Sequence, residues 1–466
     1  MAEAQQKSGG TSRGTTPRGT LKRQVGIGGA VVLGLGSILG TGVFVSIGIA
    51  AGVTGPSVVL AVGVAALVAV CNGLSSAQLA ANHPVAGGTY AYGYRYLTPE
   101  LGFTAGWLFL AAKSASAATA ALAVAGYGLV MLGMDVGPWV QTGIGLAVVL
   151  GLTVLVLGGL RRSNVLNAVL VAVTLGALGV FVGVAVLGEA SLADWSARGV
   201  GDTADAVDLP GALGEGHRAD FLLFGVSGFF EACALMFVAY TGYGRVATLG
   251  EEIAEPRKNI PRAVIATLVV TAVVYLVVTA AAVHAVGAAG LAMFTSVVSA
   301  PLEVITEVMG GPVWGTVVGI GAITAMLGVI LNLLLGLSRV LLAMGREGDV
   351  PRVFGKVNAS GTTPVPAVLG VAVIIAGLVL IGDVKTTWSF SAFTVLLYYG
   401  LTNWAALKLS DEERFYPRWV SVAGLIGCVG LAWWVDWRVL IAGVVLIAVA
   451  LGLRAGLRRE AVSDES

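Results

Sequence analysis

Two runs of glycine and hydroxyl residues lie within long apolar segments and could form a site for a small polar molecule. The first run is residues 36–42, Gly-Ser-Ile-Leu-Gly-Thr-Gly, and the second is residues 237–244, Phe-Val-Ala-Tyr-Thr-Gly-Tyr-Gly. Glycine costs about 1 kcal/mol relative to alanine inside a helix, so each run marks a place where a helix need not continue. Interrupted helices inside a membrane line protein-enclosed or water-filled sites. Close helix packing through small residues is the alternative interpretation of the first run.

Two charged residues, Lys113 and Glu231, also lie inside apolar segments. A lysine at the centre of a bilayer costs about 2.5–3.5 kcal/mol on insertion scales, so Lys113 is expected to face a cavity or a partner. Burial disfavours the charged form of an amine, which suits a group that binds and releases a proton; a structural bond to backbone carbonyls is the alternative. Glu231 precedes Tyr240 by about 13 Å along a helix, and could face water, attract a cation or pair with Lys113.

The remaining side chains do not form a catalytic or metal-binding pattern. The three cysteines, Cys71, Cys233 and Cys428, lie far apart in apolar runs, which excludes a disulfide framework and a spaced metal site. The sequence contains no phosphate-binding loop of the Gly-x-x-x-x-Gly-Lys-Ser/Thr kind. We therefore predict no enzymatic activity, no cofactor and no metal site.

The composition indicates that both glycine runs belong to an integral membrane protein. Of the 466 residues, 57% are hydrophobic and 11% are charged, against about 25% charged in soluble domains, and the mean hydropathy is +0.90. About 20 apolar residues are enough for one helical crossing, which predicts an all-α fold with twelve transmembrane helices. They cover residues 25–50, 56–81, 101–133, 137–159, 164–188, 220–245, 263–287, 312–344, 366–383, 386–408, 419–435 and 437–456.

The basic residues predict the orientation of these helices. Twelve crossings place both termini on one side, and most of the 27 lysine and arginine residues fall on that side. Only Arg198, Arg218, Lys385 and Arg438 fall in the opposite connections. Because basic residues are enriched in cytoplasmic connections, we predict cytoplasmic termini for a protein of the cell membrane.

The two glycine runs fall in the first and sixth predicted helices, which indicates two halves of five helices. An odd number of helices per half forces opposite orientations, so the halves would form an inverted repeat with a site between them near the midplane. Residues 290–311 are expected to form an outer segment with an amphipathic surface helix that carries Glu303 and Glu307. The predicted divisions are a disordered cytoplasmic tail, the first repeat, an extracellular loop, the second repeat, two additional transmembrane helices and a cytoplasmic tail, at residues 1–24, 25–188, 189–219, 220–408, 409–456 and 457–466.

Several motifs, in the right order, resemble those of the amino acid–polyamine–organocation transporters. The first helix has their Gly-Ser-x-x-Gly-Thr-Gly pattern. Residues 84–90 read as Pro-x-x-Gly-Gly-x-Tyr, Gly-Trp follows at residues 106–107, and residues 251–261 are similar to the family loop Glu-Glu-x-x-x-Pro-x-x-x-Ile-Pro. The resemblance covers residues 25–365 and is weaker towards the end of the chain.

This resemblance implies a leucine-transporter-type fold, a 5+5 inverted repeat plus two C-terminal helices, and transport of amino acids or related amines. Without an ATP-binding loop, the energy would come from an ion gradient or from exchange. We predict a secondary active transporter that works by alternating access, through proton-coupled symport or exchange. Na-coupled amino acid transport and a transport-inactive amino acid sensor are the alternatives. The expected partners are the amino acid, a coupling ion, more readily a proton than sodium, and the lipid bilayer, without nucleic acid.

The substrate site is predicted from the physics of the two interruptions. A break in the first helix exposes N–H groups at the positive end of its second half, which binds a carboxylate. We assign the substrate carboxylate to the amides of Gly40, Thr41 and Gly42, with the Thr41 hydroxyl as a further donor. The substrate ammonium needs carbonyl acceptors at the ends of the first half-helices, and the candidates are Ile38, Val238, Ala239, Tyr240 and Thr241.

The coupling ion is not identified by the motifs. Family members that couple to protons often carry a lysine in the fifth helix, but aligning Ser163 and Asn167 with that motif places Thr174 there. Lys113 is therefore a candidate replacement. Thr324 resembles a hydroxyl near the family's second cation position, so Thr174 and Thr324 could serve Na⁺ instead. We predict that the ion-coupling residues are among Lys113, Thr174, Thr324 and Glu231.

Overall fold

The computed structural model describes residues 25–85, 87–134, 137–158, 164–188, 225–248, 253–358, 363–381 and 383–463. Within these ranges the regular elements are helices, accompanied by one isolated β-bridge between Val25 and Ile253. We number the α-helices in chain order as α1 (Ile27–Ile38), α2 (Ile47–Thr54), α3 (Val58–Asn82), α4 (Thr89–Tyr96), α5 (Pro99–Met131), α6 (Pro138–Leu157), α7 (Asn164–Leu187), α8 (Gly225–Tyr240), α9 (Gly244–Thr248), α10 (Pro256–Val297), α11 (Pro301–Gly310), α12 (Pro312–Glu347), α13 (Val365–Val379), α14 (Val384–Leu407), α15 (Arg418–Ala432) and α16 (Trp437–Ser463).

Eight helical stretches in the described part of the chain are long and apolar enough to cross a membrane. Helices α1, α13 and α15 are shorter apolar helices. The helical membrane fold expected from composition is thereby confirmed, whereas the count of twelve crossings and the inverted repeat stay predictions. The eight stretches are Gly42–Asn82, Pro99–Met131, Pro138–Leu157, Val165–Leu187, Gly225–Ala247, Pro256–Ser296, Pro312–Glu347 and Trp437–Gly456.

Helix α5 forms the centre of the bundle. It packs most extensively against α12 and α14, and also contacts α4, α6, α13 and α16. Small residues, mainly alanine and serine, occupy positions 111–121 around Lys113, and they let neighbouring helices approach closely. Almost all of the helix is buried. A charged side chain on its middle turns is therefore enclosed by protein and does not face lipid.

The first glycine run interrupts the helix as predicted. Helix α1 ends at Ile38, and Leu39 has an extended backbone with φ −69° and ψ 105°. The chain turns back into helical geometry at Thr41, passes through a π-helical turn, Gly42–Ser46, and continues as α2. The opening of the backbone is therefore confined to Leu39 and Gly40, and the second half of the span begins at the amides predicted to bind a carboxylate.

The second glycine run interrupts its helix less than the sequence suggests. Between α8 and α9 the chain forms one turn of 3₁₀-helix, Thr241–Tyr243, and both Tyr240 and Gly244 keep right-handed helical dihedral angles. The Thr241 hydroxyl donates a hydrogen bond of 2.6 Å to the Val238 carbonyl. This side-chain bond satisfies an acceptor at the helix end, and the turn tightens instead of opening.

The segment between α10 and α12 is more enclosed than an amphipathic surface helix. Gly287, at φ 69°, kinks α10, and α11 then packs against α12, α7 and the π-helical turn. Glu303 of α11 is only 3% exposed, whereas Glu307 is half-buried. The expectation that both glutamates lie at the surface is therefore wrong for Glu303, because α12 presents glycine where α11 crosses it.

Candidate functional site

The two interruptions face each other in near backbone contact. We call the twelve predicted crossings spans one to twelve in chain order. A Cβ atom built on Gly42 would lie 2.6 Å from the Cβ of Ala239, so span one approaches span six through a residue without a side chain. A Cβ atom built on Gly242 would overlap the carbonyl of Ser37 and the Ile38 side chain. At each glycine, the absence of a side chain lets the backbone of the other interruption approach closely. Close packing, one of the two interpretations of the first run, is present in this geometry, and the substrate site stays a prediction.

Tyr275 of α10 joins the two interruptions. Its hydroxyl lies 2.9 Å from the Ile38 carbonyl and 3.2 Å from the Ala239 carbonyl. Its ring centre lies 5.1 Å from that of Tyr240, whose own hydroxyl donates to the Val62 carbonyl. The phenol therefore occupies two of the acceptors that were predicted to bind a substrate ammonium.

The start of the second half of span one carries hydrogen-bond donors next to the two interruptions. The Gly40 carbonyl accepts from the amides of Val43 and Phe44 at 3.1 and 3.3 Å, so the amides of Gly40, Thr41 and Gly42 precede the first bonds of the new helix. The first N–H groups of a helix lack partners within it. The Thr41 hydroxyl is buried and has no hydrogen-bond partner in the described part of the chain. This end can accept an anionic group without first giving up a protein contact of that hydroxyl.

A small cavity lies beside the interruptions, with a volume of about 30 Å³. This is room for about two water molecules and too little for an amino acid, and we call this arrangement of the helices around the interruptions the closed conformation. Spans one, three, six and eight all contribute to its wall. The polar residues among its lining are Ser37, Lys113, Thr241, Arg245 and Asn332.

Lys113 faces this cavity, as its position inside an apolar span required. Its ammonium donates a hydrogen bond of 2.5 Å to the Thr241 hydroxyl, and that hydroxyl donates in turn to the Val238 carbonyl. The side chain forms no ion pair with a described carboxylate within 4.0 Å, and the residue is 6% exposed. The lysine of span three is thus connected to the interruption of span six through one hydroxyl.

A known family matches almost the whole chain. A family model described as amino acid permease matches residues 29–460. The chain belongs to the amino acid permease family. The resemblance to amino acid–polyamine–organocation transporters is confirmed, and the family name indicates a transporter of the membrane and not an enzyme.

The names of similar proteins point to different substrates. An uncharacterized transporter of Mycobacterium tuberculosis is 37% identical over 449 residues, covering 96% of this chain and 94% of that protein. A branched-chain amino acid permease of Bacillus subtilis is 26% identical, covering 90% of this chain and 87% of the relative. A chloroplastic cationic amino acid transporter of Arabidopsis thaliana is 28% identical, covering 80% and 63%.

The other predicted coupling residues of the permease lie apart from the cavity. Thr174 of α7 and Thr324 of α12 each donate their hydroxyl to a carbonyl one turn back in their own helix, at 2.8 and 2.9 Å. Neither residue lines the cavity. Glu231 of α8 is half-buried and interacts electrostatically with Lys385 and Asp436, and the structure gives it no ion pair with Lys113.

Sequence reasoning did not identify two residues that hold the permease's interruption together. Tyr275 is one of them. Asn332 of α12 is the other: its amide donates to the Gly36 carbonyl at 3.2 Å and lies 3.5 Å from the Asn167 amide oxygen of α7. A tyrosine and an asparagine in long apolar spans were the available signals, because buried polar side chains require hydrogen-bond partners.

A second polar cluster closes the end of the permease at which the described chain starts. Arg454 of α16 is buried and bonds Asp349 at 2.7 Å, Tyr94 at 3.0 Å and Glu100 at 3.3 Å. The hydroxyls of Tyr90 and Tyr94 both donate to the other Asp349 oxygen. This Arg454–Asp349 cluster connects α16 to α4, to the start of α5 and to the end of α12.

Proposed function

We propose that this permease is a secondary active transporter that carries an amino acid, or a related amine, between the interruptions of spans one and six by alternating access. The observation that carries the proposal is the Tyr275 hydroxyl on the Ile38 and Ala239 carbonyls. A single donor bonded to carbonyls from both interruptions occupies the position that a substrate ammonium would take. In the empty site, the Tyr275 hydroxyl therefore makes the contacts that we propose for the substrate ammonium.

The carboxylate of the substrate is proposed to bind at the start of the second half of span one. The amides of Gly40, Thr41 and Gly42 supply donors, and the buried Thr41 hydroxyl adds a donor without a described partner. Helix N-termini bind anions through aligned amides and the helix dipole. The ammonium would displace Tyr275 from Ile38 and Ala239, with Val238, Tyr240 and Thr241 as neighbouring carbonyls.

The size of the cavity supports alternating access. A space of about 30 Å³ cannot hold an amino acid, so the helices around the interruptions must separate before substrate enters or leaves. Span one is divided at Leu39, where the backbone is extended, and we propose that its halves move separately. The closed conformation is then the intermediate between the two open ones.

Proton coupling is proposed for Lys113. Among the described residues its hydrogen-bond partner is the Thr241 hydroxyl, and no described carboxylate lies within 4.0 Å to neutralise the charge that protonation adds beside the substrate. A charged ammonium here repels cationic side chains, which favours neutral amino acids, such as the substrates named for the branched-chain relative. Na⁺ coupling at Thr174 and Thr324 is the second candidate, since both are hydroxyl residues of the neighbouring spans five and eight.

The wider organisation is proposed to follow the family. Residues 25–188 and 220–408 would form the two inverted repeats, residues 409–456 two additional transmembrane helices, and the extracellular loop would be residues 189–219. Residues 1–24 and 457–466 would be cytoplasmic tails in a protein of the cell membrane. The excess of basic residues on the side of the termini supports this orientation.

Uptake into proteoliposomes tests the function directly. We expect purified protein to accumulate a neutral amino acid from a radiolabelled panel when the outside is more acidic than the inside, and to exchange it when no gradient is present. Accumulation that requires Na⁺ and does not depend on the pH gradient would contradict proton coupling and indicate Na⁺ coupling. Binding without uptake or exchange of any amino acid or polyamine would favour a sensor over a transporter.

A further inference from the structure

Helix α11 buries a carboxylic acid that the proposed substrate site does not use. Glu303 is 3% exposed, and its Oε2 atom is buried without a hydrogen-bond partner in the described part of the chain. The carboxyl group lies in a notch of α12: a Cβ atom built on Gly319 would lie 2.8 Å from the Glu303 carboxyl carbon and within 2.9 Å of both oxygens. An ionised carboxylate without donors is strongly disfavoured in such a site.

No cation in the described part of the chain neighbours Glu303 to stabilise its ionised form. Its electrostatic neighbours among the described residues are Glu307 on the same helix and Tyr127 on α5. Where α11 contacts α12 and α7, the neighbouring residues include Gly315, Gly319 and Val184, which cannot titrate. No titratable group of α10 or of the π-helical turn interacts with Glu303.

The pKa of Glu303 follows from this environment. Burial, helped by the negative charge of Glu307, raises the pKa of the Glu303 carboxyl to about 8. The carboxyl lies in the first turn of α11, where the helix dipole favours ionisation, and burial outweighs that effect. In water the same group has a pKa of about 4.3. The closed conformation therefore holds a neutral Glu303 at physiological pH.

Helix α11 also lies where it could control access to the interruption of span one. It contacts the π-helical turn, Gly42–Ser46, at the end of the bundle opposite to the Arg454–Asp349 cluster. Tyr127, the α5 neighbour of Glu303, donates a hydrogen bond of 3.0 Å to the Phe44 carbonyl in that turn. Movement of α11 would thus expose both the Glu303 carboxyl and the turn that follows the predicted carboxylate site.

We propose that Glu303 is a proton-binding site, and that its protonation closes α11 over the π-helical turn of span one. Lifting α11 hydrates the carboxyl and releases one proton; closing α11 binds one proton from the same side. The proton moves between the Glu303 carboxyl oxygen and water, so no further reactant is required. The proposal needs neither an identified substrate nor transport, and it stands or fails separately from the proposed function.

The pH dependence has a defined sign. Closed protein carries more protons than open protein between pH of about 4.3 and about 8, so closure is favoured as pH falls through this window. For one proton the ratio of closed to open protein changes by up to about tenfold per pH unit. Above the window both conformations are ionised, and the penalty on closure is constant.

The test measures access to the turn beneath α11 in purified protein. Ser46, which is fully buried in the π-helical turn, is replaced by cysteine after Cys71, Cys233 and Cys428 have been changed to alanine. The rate of labelling by a methanethiosulfonate reagent is measured from pH 5 to pH 8. The same rate is measured after Glu303→Gln has been added to this protein, and it serves as the reference. Dividing by the reference rate removes the pH dependence that comes from ionisation of the thiol itself.

We expect the labelling rate, relative to Glu303→Gln, to rise at least tenfold between pH 5 and pH 8. Glu307→Gln, which removes the matched glutamate one turn along α11, should keep this rise. Gly319→Ala, which fills the notch, should increase labelling at every pH and abolish the rise, and its rate serves as the reference if Glu303→Gln does not fold. A flat ratio, or an equal loss of pH dependence in Glu307→Gln, would overturn the proposal.

Discussion

Tyr275 has the most specific role of any single residue in the closed permease. Its hydroxyl lies within hydrogen-bond distance of the carbonyls at the ends of both half-helices, Ile38 and Ala239, in the interior of the bundle. A buried acceptor without a partner costs about 1–3 kcal/mol. The phenol therefore stabilises the empty closed state, and a substrate ammonium bound as proposed would compete with it.

Tyr275→Phe should make amino acid binding tighter. The variant leaves the Ile38 and Ala239 carbonyls unsatisfied only while the site is empty, so the dissociation constant should fall by about fivefold to tenfold. Equilibrium binding of the radiolabelled substrate to purified protein measures the change. Tyr96→Phe, which removes a hydroxyl bonded to Glu413, is the matched control and should bind as before. Weaker binding by Tyr275→Phe would show that the hydroxyl contacts the substrate itself.

Lys113→Ala should separate proton coupling from exchange. The methyl group carries no proton, so accumulation driven by a pH gradient should fall to the level seen without a gradient, while exchange continues. Uptake in proteoliposomes at fixed inner pH and varied outer pH measures both activities. Lys385→Ala removes an exposed lysine and should leave accumulation intact. Unchanged proton-driven accumulation in Lys113→Ala would assign Lys113 a structural role on Thr241.

At the scale of the elements, the Arg454–Asp349 cluster determines where α16 packs. Arg454 reaches from α16 to partners on α4, α5 and α12, and its guanidinium lies 5.2 Å from the Phe103 ring centre. The Asp349 side chain is fully buried. Removing one member of a buried ion pair is costly because the other charge stays buried. The cluster thereby joins the last helix to the end of the bundle near the termini.

Arg454→Met should destabilise the folded permease by roughly 3–5 kcal/mol. The long apolar side chain keeps the packing but leaves the Asp349 carboxylate without its cation. Denaturant unfolding in detergent measures the loss, and the double variant Arg454→Met with Asp349→Asn should recover part of it. Arg418→Met is the control: its pair with Asp411 is largely exposed, and exposed pairs contribute about 1 kcal/mol or less. Equal losses in the two single variants would contradict a special role for the cluster.

Local sequence predicted the first interruption better than the second. The glycines around Leu39 mark a backbone that leaves the helix, and it does so at Leu39 and Gly40. The same reasoning overestimated the second interruption, because the Thr241 side chain bonds the Val238 carbonyl and tightens the turn. Such a bond depends on a side-chain conformation that glycine spacing does not specify.

At the scale of the whole molecule, contacts between distant spans were the part that sequence could not supply. Composition and the cost of a buried charge were enough to place Lys113 in a protein-enclosed position. They do not tell which span supplies its partner, Thr241, nor that Tyr275 reaches both interruptions. Glu303 was expected at the surface because polar loop segments usually are, and only the approach of Gly319 to α11 explains its burial.

Spans one and six approach each other closely at Gly42. A side chain at this position would meet Ala239 at 2.6 Å and the Tyr275 hydroxyl at 3.0 Å, which would separate the interruptions that form the proposed site. Valine at Gly151 offers a comparison, since a Cβ atom there meets no other atom within 4 Å. Both positions lie in apolar spans, so membrane insertion should be the same.

The central claim is that the substrate binds between the two interruptions, and equilibrium binding to the Gly42→Val variant tests it most directly. The measurement compares purified wild-type, Gly42→Val and Gly151→Val proteins, each monodisperse in detergent, with the amino acid that wild-type protein transports. The account predicts at least a hundredfold weaker binding by Gly42→Val and unchanged binding by Gly151→Val. Wild-type affinity in Gly42→Val would contradict it and would place the substrate elsewhere in the bundle.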